Sequence, residues 1–218
     1  MKSPRLHAPG LASRLSRLFS TAFVALALLA LFALLAVSTP GCQSYDVLIQ
    51  KDQVTQQKFA DLQAQLQRRA DLVPNLVATV KGSAKHEEDT LDEVTKARAS
   101  ATGIQINPGD LDDAQKMKAF QDAQNNLSGA LSKLLVVNEA YPDLKANAAY
   151  HDLQIQLEGT ENRILRAREE YNAAVGDFNT ELGKIRGQVV NKVTGKPFQS
   201  RTYFTAAASA QDAPKVTF

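Results

Sequence analysis

Three stretches of this chain repeat apolar residues at spacings of three and four. The first runs from Asp46 to about Ala101 on Leu48, Phe59, Leu62, Leu66, Val73, Val77, Val80, Ala84, Leu91, Val94 and Ala97, broken around Val54-Thr55 and at Arg69. That spacing places them on one face of a helix. Pro74 lies inside it. A proline lacks the backbone donor and crowds the preceding turn, which predicts a kink or break near Asp71, and Gly82 weakens the helix beyond. Gly103, Pro108 and Gly109 make Thr102 to Asp110 a turn. Asp110 is the expected cap of a second helix, with Asp112 and Asp113 in its first turn matching the helix dipole. This helix reaches about Asn138 on Leu111, Met117, Phe120, Leu127, Leu131, Leu134 and Leu135, with a weakly apolar middle from Gln121 to Gly129, and Tyr141-Pro142-Asp143 ends it. The third has the cleanest pattern: Tyr150, Leu153, Leu157, Thr160, Ile164, Arg168, Tyr171, Val175, Phe178, Leu182 and Ile185 form a coiled-coil-like seam that Gly187 is expected to stop. The predicted fold is all-α, an elongated antiparallel helical bundle of long amphipathic helices over 45–198. An irregular tail, 199–218, follows, and its small polar part from Thr205 to Pro214 is expected to be mobile.

The head of the chain reads differently. Residues 1–17 carry Lys2, Arg5, Arg14 and Arg17 and no acid, and Leu18 to Val37 is uncharged, with Ser20 and Thr21 its polar members. About 20 helical residues span roughly 30 Å, the thickness of a hydrocarbon core. A run of that length predicts a retained transmembrane span, since the apolar core of a cleaved signal is shorter. The exit Thr39-Pro40-Gly41-Cys42 resembles a bacterial lipobox, in which the cysteine is acylated and becomes the new N-terminus. Two readings of 18–42 therefore stand: an uncleaved anchor, or a lipoprotein signal with lipid attached at Cys42. In both, the basic head is cytoplasmic and everything after Cys42 is exported.

The whole chain carries +2, so removing the four cations of the head leaves 18–218 at −2. Such a region has no electrostatic reason to bind nucleic acid. Cys42 is the one cysteine among 218 residues, which excludes a disulfide and a thiolate metal cluster. His86-Glu87-Glu88-Asp89-Thr90 begins like a zinc-protease helix but lacks the histidine four residues on that would put a second ligand on the same face. There is no glycine-rich phosphate loop and no nucleophile elbow. The Glu169-Glu170 pair points in two directions on a helix and reads as surface charge. No catalytic residue, metal or cofactor is expected.

Two polar sets stand out within the apolar pattern. Arg69, Asp71 and Asn75 surround Pro74, and Glu161, Arg168 and Asn172 lie on the third helix, with Arg168 in its seam. An arginine shielded from water needs an acceptor partner, and Asp71 or Glu87 is the expected partner of Arg168. One reading is a polar layer that sets helix register. The other is a recognition surface for a partner or a neighbouring subunit.

Several motifs resemble the LemA family. They are Tyr45-Asp46, Arg69-Ala70-Asp71-Leu72-Val73-Pro74-Asn75-Leu76-Val77, His86-Glu87, Asn138-Glu139-Ala140-Tyr141-Pro142-Asp143-Leu144-Lys145-Ala146-Asn147, Thr160-Glu161-Asn162-Arg163-Ile164, Ala167-Arg168 with Tyr171-Asn172, Tyr203-Phe204 and Val216-Thr217-Phe218. The likeness covers about Tyr45 to Phe218. It implies a membrane-anchored helical bundle with no established catalytic activity, some relatives being encoded beside membrane-bound metalloproteases. The expected protein is thus tethered to the bacterial cell membrane, with its bundle on the extracytoplasmic, periplasmic side. It would act through contacts with an unidentified envelope protein or a second copy of itself. An adaptor or regulator of a membrane-bound protease is the alternative, and an enzyme built on Arg69, Asp71, Glu161 and Arg168 is the alternative of another class.

Overall fold

The apolar faces fold as helices throughout. The computed structural model describes residues 11–83, 88–137, 141, 144, 146–193, 195 and 198–205, with side chains from Tyr45 onward except at 83, 137, 186, 190 and 193. Helix α1 is Leu11–Ser83, α2 Glu88–Gly103, α3 Ala114–Val137, α4 Ala148–Gly183 and α5 Ile185–Val193, with a 3-10 turn at Pro108–Asp110. The described residues form no strand. The chain divides into two units, Met1–Val47 and Leu48–Phe218. Among the described residues no helix is long and apolar enough to cross a membrane. The side chains of the expected span Leu18–Val37 and of Cys42 lie outside those described.

The first expected helix is two helices. The chain stays helical through Pro74 and α1 ends at Ser83, one residue after Gly82. The proline is tolerated because its lost bond is replaced. An amide at position 74 would donate to the carbonyl of Ala70, and that oxygen instead accepts from Arg98 Nε of α2 at 2.8 Å. Arg98 can reach it because α2 folds back along α1. Among the described residues of the second unit four long helices therefore pack where three were expected.

Ion pairs fix their directions. Lys51 meets Asp177 at 3.3 Å, Lys58 meets Glu170 at 2.6 Å and Arg69 meets Glu161 at 3.0 Å, so α4 runs antiparallel to α1. Glu93 meets Lys133 at 2.6 Å and the Gln124 amide donates to Ala101 O at 3.1 Å, so α3 runs antiparallel to α2.

Local chemistry sets the helix ends. Asp113, and not Asp110, caps α3, its carboxylate accepting from the amides of Gln115 and Lys116 at 3.0 Å each. Asp110 closes the 3-10 turn before it and accepts from the Asn107 amide at 3.0 Å. Asn147 caps α4 by accepting from Ala149 and Tyr150. The seam on α4 ends before Gly187, because Lys184 is extended (φ −65°, ψ 150°). Gly187 lies inside α5, where a Cβ would stand 2.5 Å from the carbonyl oxygen of Glu181. Only glycine lets α5 turn this tightly onto the end of α4. Ile185, the last expected member of the seam, is 83% exposed as a result.

The apolar interior falls into three clusters. One holds Val73, Leu76, Val80, Leu91, Val94, Leu127, Leu134, Tyr150 and Leu157. A second holds Phe59, Leu62, Leu66, Met117, Phe120, Ile164, Tyr171, Val175 and Phe204. The third holds Leu48, Phe178 and Leu182, with Phe198 against them. Buried polar residues separate them: Arg69, Gln124 and Thr160 between the first and second, Asp52 and Thr55 between the second and third.

Candidate functional site

Both polar layers centre on an arginine. Arg69 is 3% exposed and projects from α1 toward α3 and α4. Its Nη1 donates to Glu161 Oε1 at 3.0 Å, and its Nη2 donates to the Gln124 carbonyl at 3.1 Å and to Gln124 Oε1 at 2.8 Å. One guanidinium thus joins three helices, while its Nε has no partner among the described residues. The second layer is formed by Arg201, which lies beyond the last helix. Its Nε and Nη2 donate to Asp52 Oδ1 at 2.9 and 2.7 Å, its Nη1 lies 3.7 Å from Asp112, and its guanidinium carbon sits 5.7 Å from the centre of the Phe178 ring. Gln56 donates to the other Asp52 oxygen at 2.8 Å.

Arg201 belongs to a strap, residues 198–205, that has no regular structure but is held along its length. Asn191 grips Phe198, donating to its carbonyl at 2.9 Å and accepting from its amide. Asn179 does the same for Arg201 (2.9 and 2.8 Å), and Asn172 for Phe204 (2.9 and 2.8 Å). Between them the Thr202 amide donates to Leu111 O at 2.8 Å, and Tyr171 donates its hydroxyl proton to Thr202 O at 2.8 Å. Gln121 donates to Tyr203 O at 2.9 Å and accepts from the Thr205 amide at 3.0 Å. Phe204 fills the second apolar cluster and meets Phe120 edge-on at 6.2 Å. Burial beneath this strap pushes the Tyr171 hydroxyl well above the usual tyrosine range, and the nearby Arg201 charge offsets a little of that. Burial also raises Tyr150.

Two clefts open beside the Arg69 layer. A cavity of about 260 Å³ lies between α1 and the α2–α3 connection, lined by Gln63, Ala70, Ile104, Asn107 and Gln124 among others. Another, of about 310 Å³, lies between α3 and α4, with Glu158, Glu161 and Asn162 on its wall. Among the described residues no group of three or more His, Cys, Asp or Glu is placed to hold a metal ion.

The residues singled out in the sequence separate accordingly. Arg69 and Glu161 meet. Asp71 does not meet Arg168: it is exposed and accepts from Gln67 Nε2 at 2.7 Å. Two residues along a helix is a rotation of roughly 200°, so with Arg69 inside, Asp71 faces away. Arg168 is half-buried, and no hydrogen bond or ion pair joins it to another described residue. Glu87, its other expected partner, lies outside the described residues, as does His86. Asn75 is exposed, and Asn172 serves the strap. Sequence reasoning missed Gln124, Gln121, Asp52, Asn179 and Arg201. Two signals pointed to some of them: Asn172 and Asn179 lie seven apart on the same helix face, and the weakly apolar middle of α3 begins at Gln121.

The model of the LemA family matches residues 58–218, a range that contains the Arg69 layer and the strap. Magnetosome protein MamQ 1 and magnetosome protein MamQ 2 of Paramagnetospirillum magneticum are each 26% identical over 211 residues, covering 88% of this chain and 76% of their own. Protein LemA of Metamycoplasma hominis is 26% identical over 121 residues, covering 56% of this chain and 51% of its own. With the family model matching well over half of its length, the chain belongs to the LemA family.

Proposed function

We propose that this protein is a membrane-tethered helical bundle of the bacterial envelope that works by protein–protein contact and not by catalysis. The observation that carries the reading is how its buried polar groups are used. Arg69 is taken up by Gln124 and Glu161, and Asp52 by Gln56 and Arg201. Groups bonded in this way hold helices in register and are not free to bind or activate a substrate. The basic head and the uncharged run Leu18–Val37 supply the tether, with Cys42 as the acylation site if the exit is processed. By charge the bundle is extracytoplasmic. Relatives named as magnetosome proteins accord with work at a membrane.

Crosslinking in living cells tests this. Photoreactive residues placed at exposed positions such as Asn75 and Ile155 should give discrete adducts, either with an envelope protein or with a second copy. A membrane-bound protein that gives no adduct from positions all round the bundle overturns the contact reading. Recovery of the full chain as a free soluble protein overturns the tether. For the anchor, Cys42→Ala should abolish lipid labelling. A wild-type chain with an intact N-terminus and no acyl mass refutes the lipoprotein branch and leaves the uncleaved span.

A further inference from the structure

We propose that α5 is a foot that rests on an anionic lipid surface, an inference that takes the tether of the previous section as given. It starts from which end of the bundle α5 occupies. Leu48, the first residue of the second unit, packs with Phe178 and Leu182 at the end of α4, and Phe198 closes over them. Helix α5 begins at Ile185, directly after that end, and Asn191 ties it to Phe198. The chain thus enters the bundle at the end where α5 lies. From Val37, the last residue of the apolar run, to Leu48 is eleven residues, at most about 40 Å whatever their conformation, so a tethered bundle keeps this end within reach of the bilayer.

The chemistry of α5 suits a lipid surface. Its inner side carries Gly187, pressed against the carbonyls of Glu181 and Leu182, and the half-buried Asn191. Its outer side carries Ile185 at 83% exposure and Val189 at 56%, with exposed Gln188 and Lys192 beside them. Ile185, Val189 and Lys192 follow the spacing of one helical stripe. Ile185 and Val189, one turn apart, thus make an outward-facing apolar pair on a short helix. The charge around the pair says what it suits. From Leu182 through Gln211 the sequence has no Asp or Glu, while Lys184, Arg186, Lys192, Lys196 and Arg201 all fall within it. Arg201 is turned inward to Asp52 and Lys184 pairs with Glu181 at 2.6 Å, so among the described side chains Lys192 is the exposed, unpaired cation on the apolar stripe. An apolar stripe bearing a cation, in a segment with no acid, suits the interface of a membrane with anionic headgroups.

The test uses the full chain, which contains no tryptophan. Val189→Trp supplies a single reporter, and Ile155→Trp, at a site 54% exposed near the start of α4, supplies the control. Each is reconstituted in phosphatidylcholine vesicles with and without phosphatidylglycerol. In vesicles with phosphatidylglycerol the 189 reporter should shift to the blue and be quenched by lipids brominated high on their chains, and the 155 reporter should not. Leaving out phosphatidylglycerol, or adding Lys192→Glu, should weaken both signals at 189. If the 189 reporter stays water-like and unquenched while the protein floats with the vesicles, the foot is overturned and the tether stands. If the protein does not float, the tether fails and the foot with it. Val189→Trp and its Lys192→Glu form should keep the wild-type far-UV signal; if they lose it, Gln188→Trp on the same outer side takes the reporter's place and is read against the same outcomes.

Discussion

Arg69→Met would keep the apolar stem of the side chain and remove the guanidinium. The wild-type group, 3% exposed, serves the side-chain oxygen and the carbonyl of Gln124 at 2.8 and 3.1 Å and Glu161 at 3.0 Å. Its loss leaves the buried side-chain oxygen of Gln124 unmatched, at about 1–3 kcal/mol, while the Gln124 carbonyl keeps its bond within α3. The lost second bond to that carbonyl adds to the cost and relief from holding a charge in the interior offsets part of it, so the expected cost is about 1–3 kcal/mol. Glu161 is on the other side of the account, because its side chain is 42% exposed. Water can replace much of what it gives, and Glu161→Gln should cost about 1 kcal/mol or less. The order of the two is the prediction: the arginine matters more for Gln124 than for the carboxylate. A double-mutant cycle on Arg69→Met and Gln124→Leu should show a larger coupling than one on Arg69→Met and Glu161→Gln. Urea unfolding of the full chain in detergent, followed by its helical far-UV signal, measures all of these. Arg69→Met within about 0.5 kcal/mol of wild type, or Glu161→Gln as costly as Arg69→Met, would refute the reasoning. The pair expected from the sequence supplies the control, since Asp71→Asn and Arg168→Gln should be additive.

Arg201→Gln should cost about 3–5 kcal/mol by leaving Asp52 shielded without its cation, and amide hydrogen exchange should quicken across 198–205; unchanged exchange there refutes the hold of Arg201 on the strap. Arg98→Met should cost about 1–2 kcal/mol in the wild-type chain and clearly less beside Pro74→Ala, where an amide at 74 can again serve the Ala70 carbonyl; equal costs in the two backgrounds exclude the replacement bond. Burial holds Tyr171 neutral in the folded chain above the pH at which an unfolded tyrosine ionises, so stability should be level below about pH 10 and fall above it. Tyr171→Phe should flatten part of that fall and leave the share owed to Tyr150; an unchanged alkaline slope counts against the assignment.

The helices were legible because their apolar faces are long and regular, and the α4 seam placed Leu153, Leu157, Thr160, Ile164, Tyr171, Val175, Phe178 and Leu182 inside correctly. The number of helices was not legible. Periodicity carries from one helix into the next without a mark, so Val80 of α1 and Leu91 of α2 read as one face although they belong to two antiparallel helices. Pro74 drew the expected break to the wrong place, because what rescues it is an arginine 24 residues on, brought close only by the tertiary fold. The Arg69 layer was half legible. An arginine interrupting an apolar stripe must find acceptors, and that much is local. Which acceptors depends on the rotation and offset of α3 and α4 against α1, and here the offset selected Glu161 and Gln124 over anything near Arg168.

The strap shows the same limit from the other direction. Gln199 to Thr205 has no periodicity, and nothing local to it says that it is ordered. Its order is written elsewhere, in Asn172, Asn179, Asn191 and Gln121, whose side-chain amides can both donate and accept and so can match a peptide's amide and carbonyl. An extended segment without a neighbouring strand must satisfy its backbone in this way before it can be buried. That requirement explains why Asn172 and Asn179 lie half-buried beside the α4 seam, within reach of the strap. It also ties the two arginine layers into one arrangement. Tyr171 and Phe204 pack in the cluster that Arg69 closes at one end, and Arg201, three residues before Phe204, closes the other end on Asp52. A change that frees the strap therefore removes the cation from one layer and an aromatic wall from the cluster beside it. The bundle end that holds Leu48 should loosen first, because Phe198 of the strap and Phe178 beneath Arg201 are its cover.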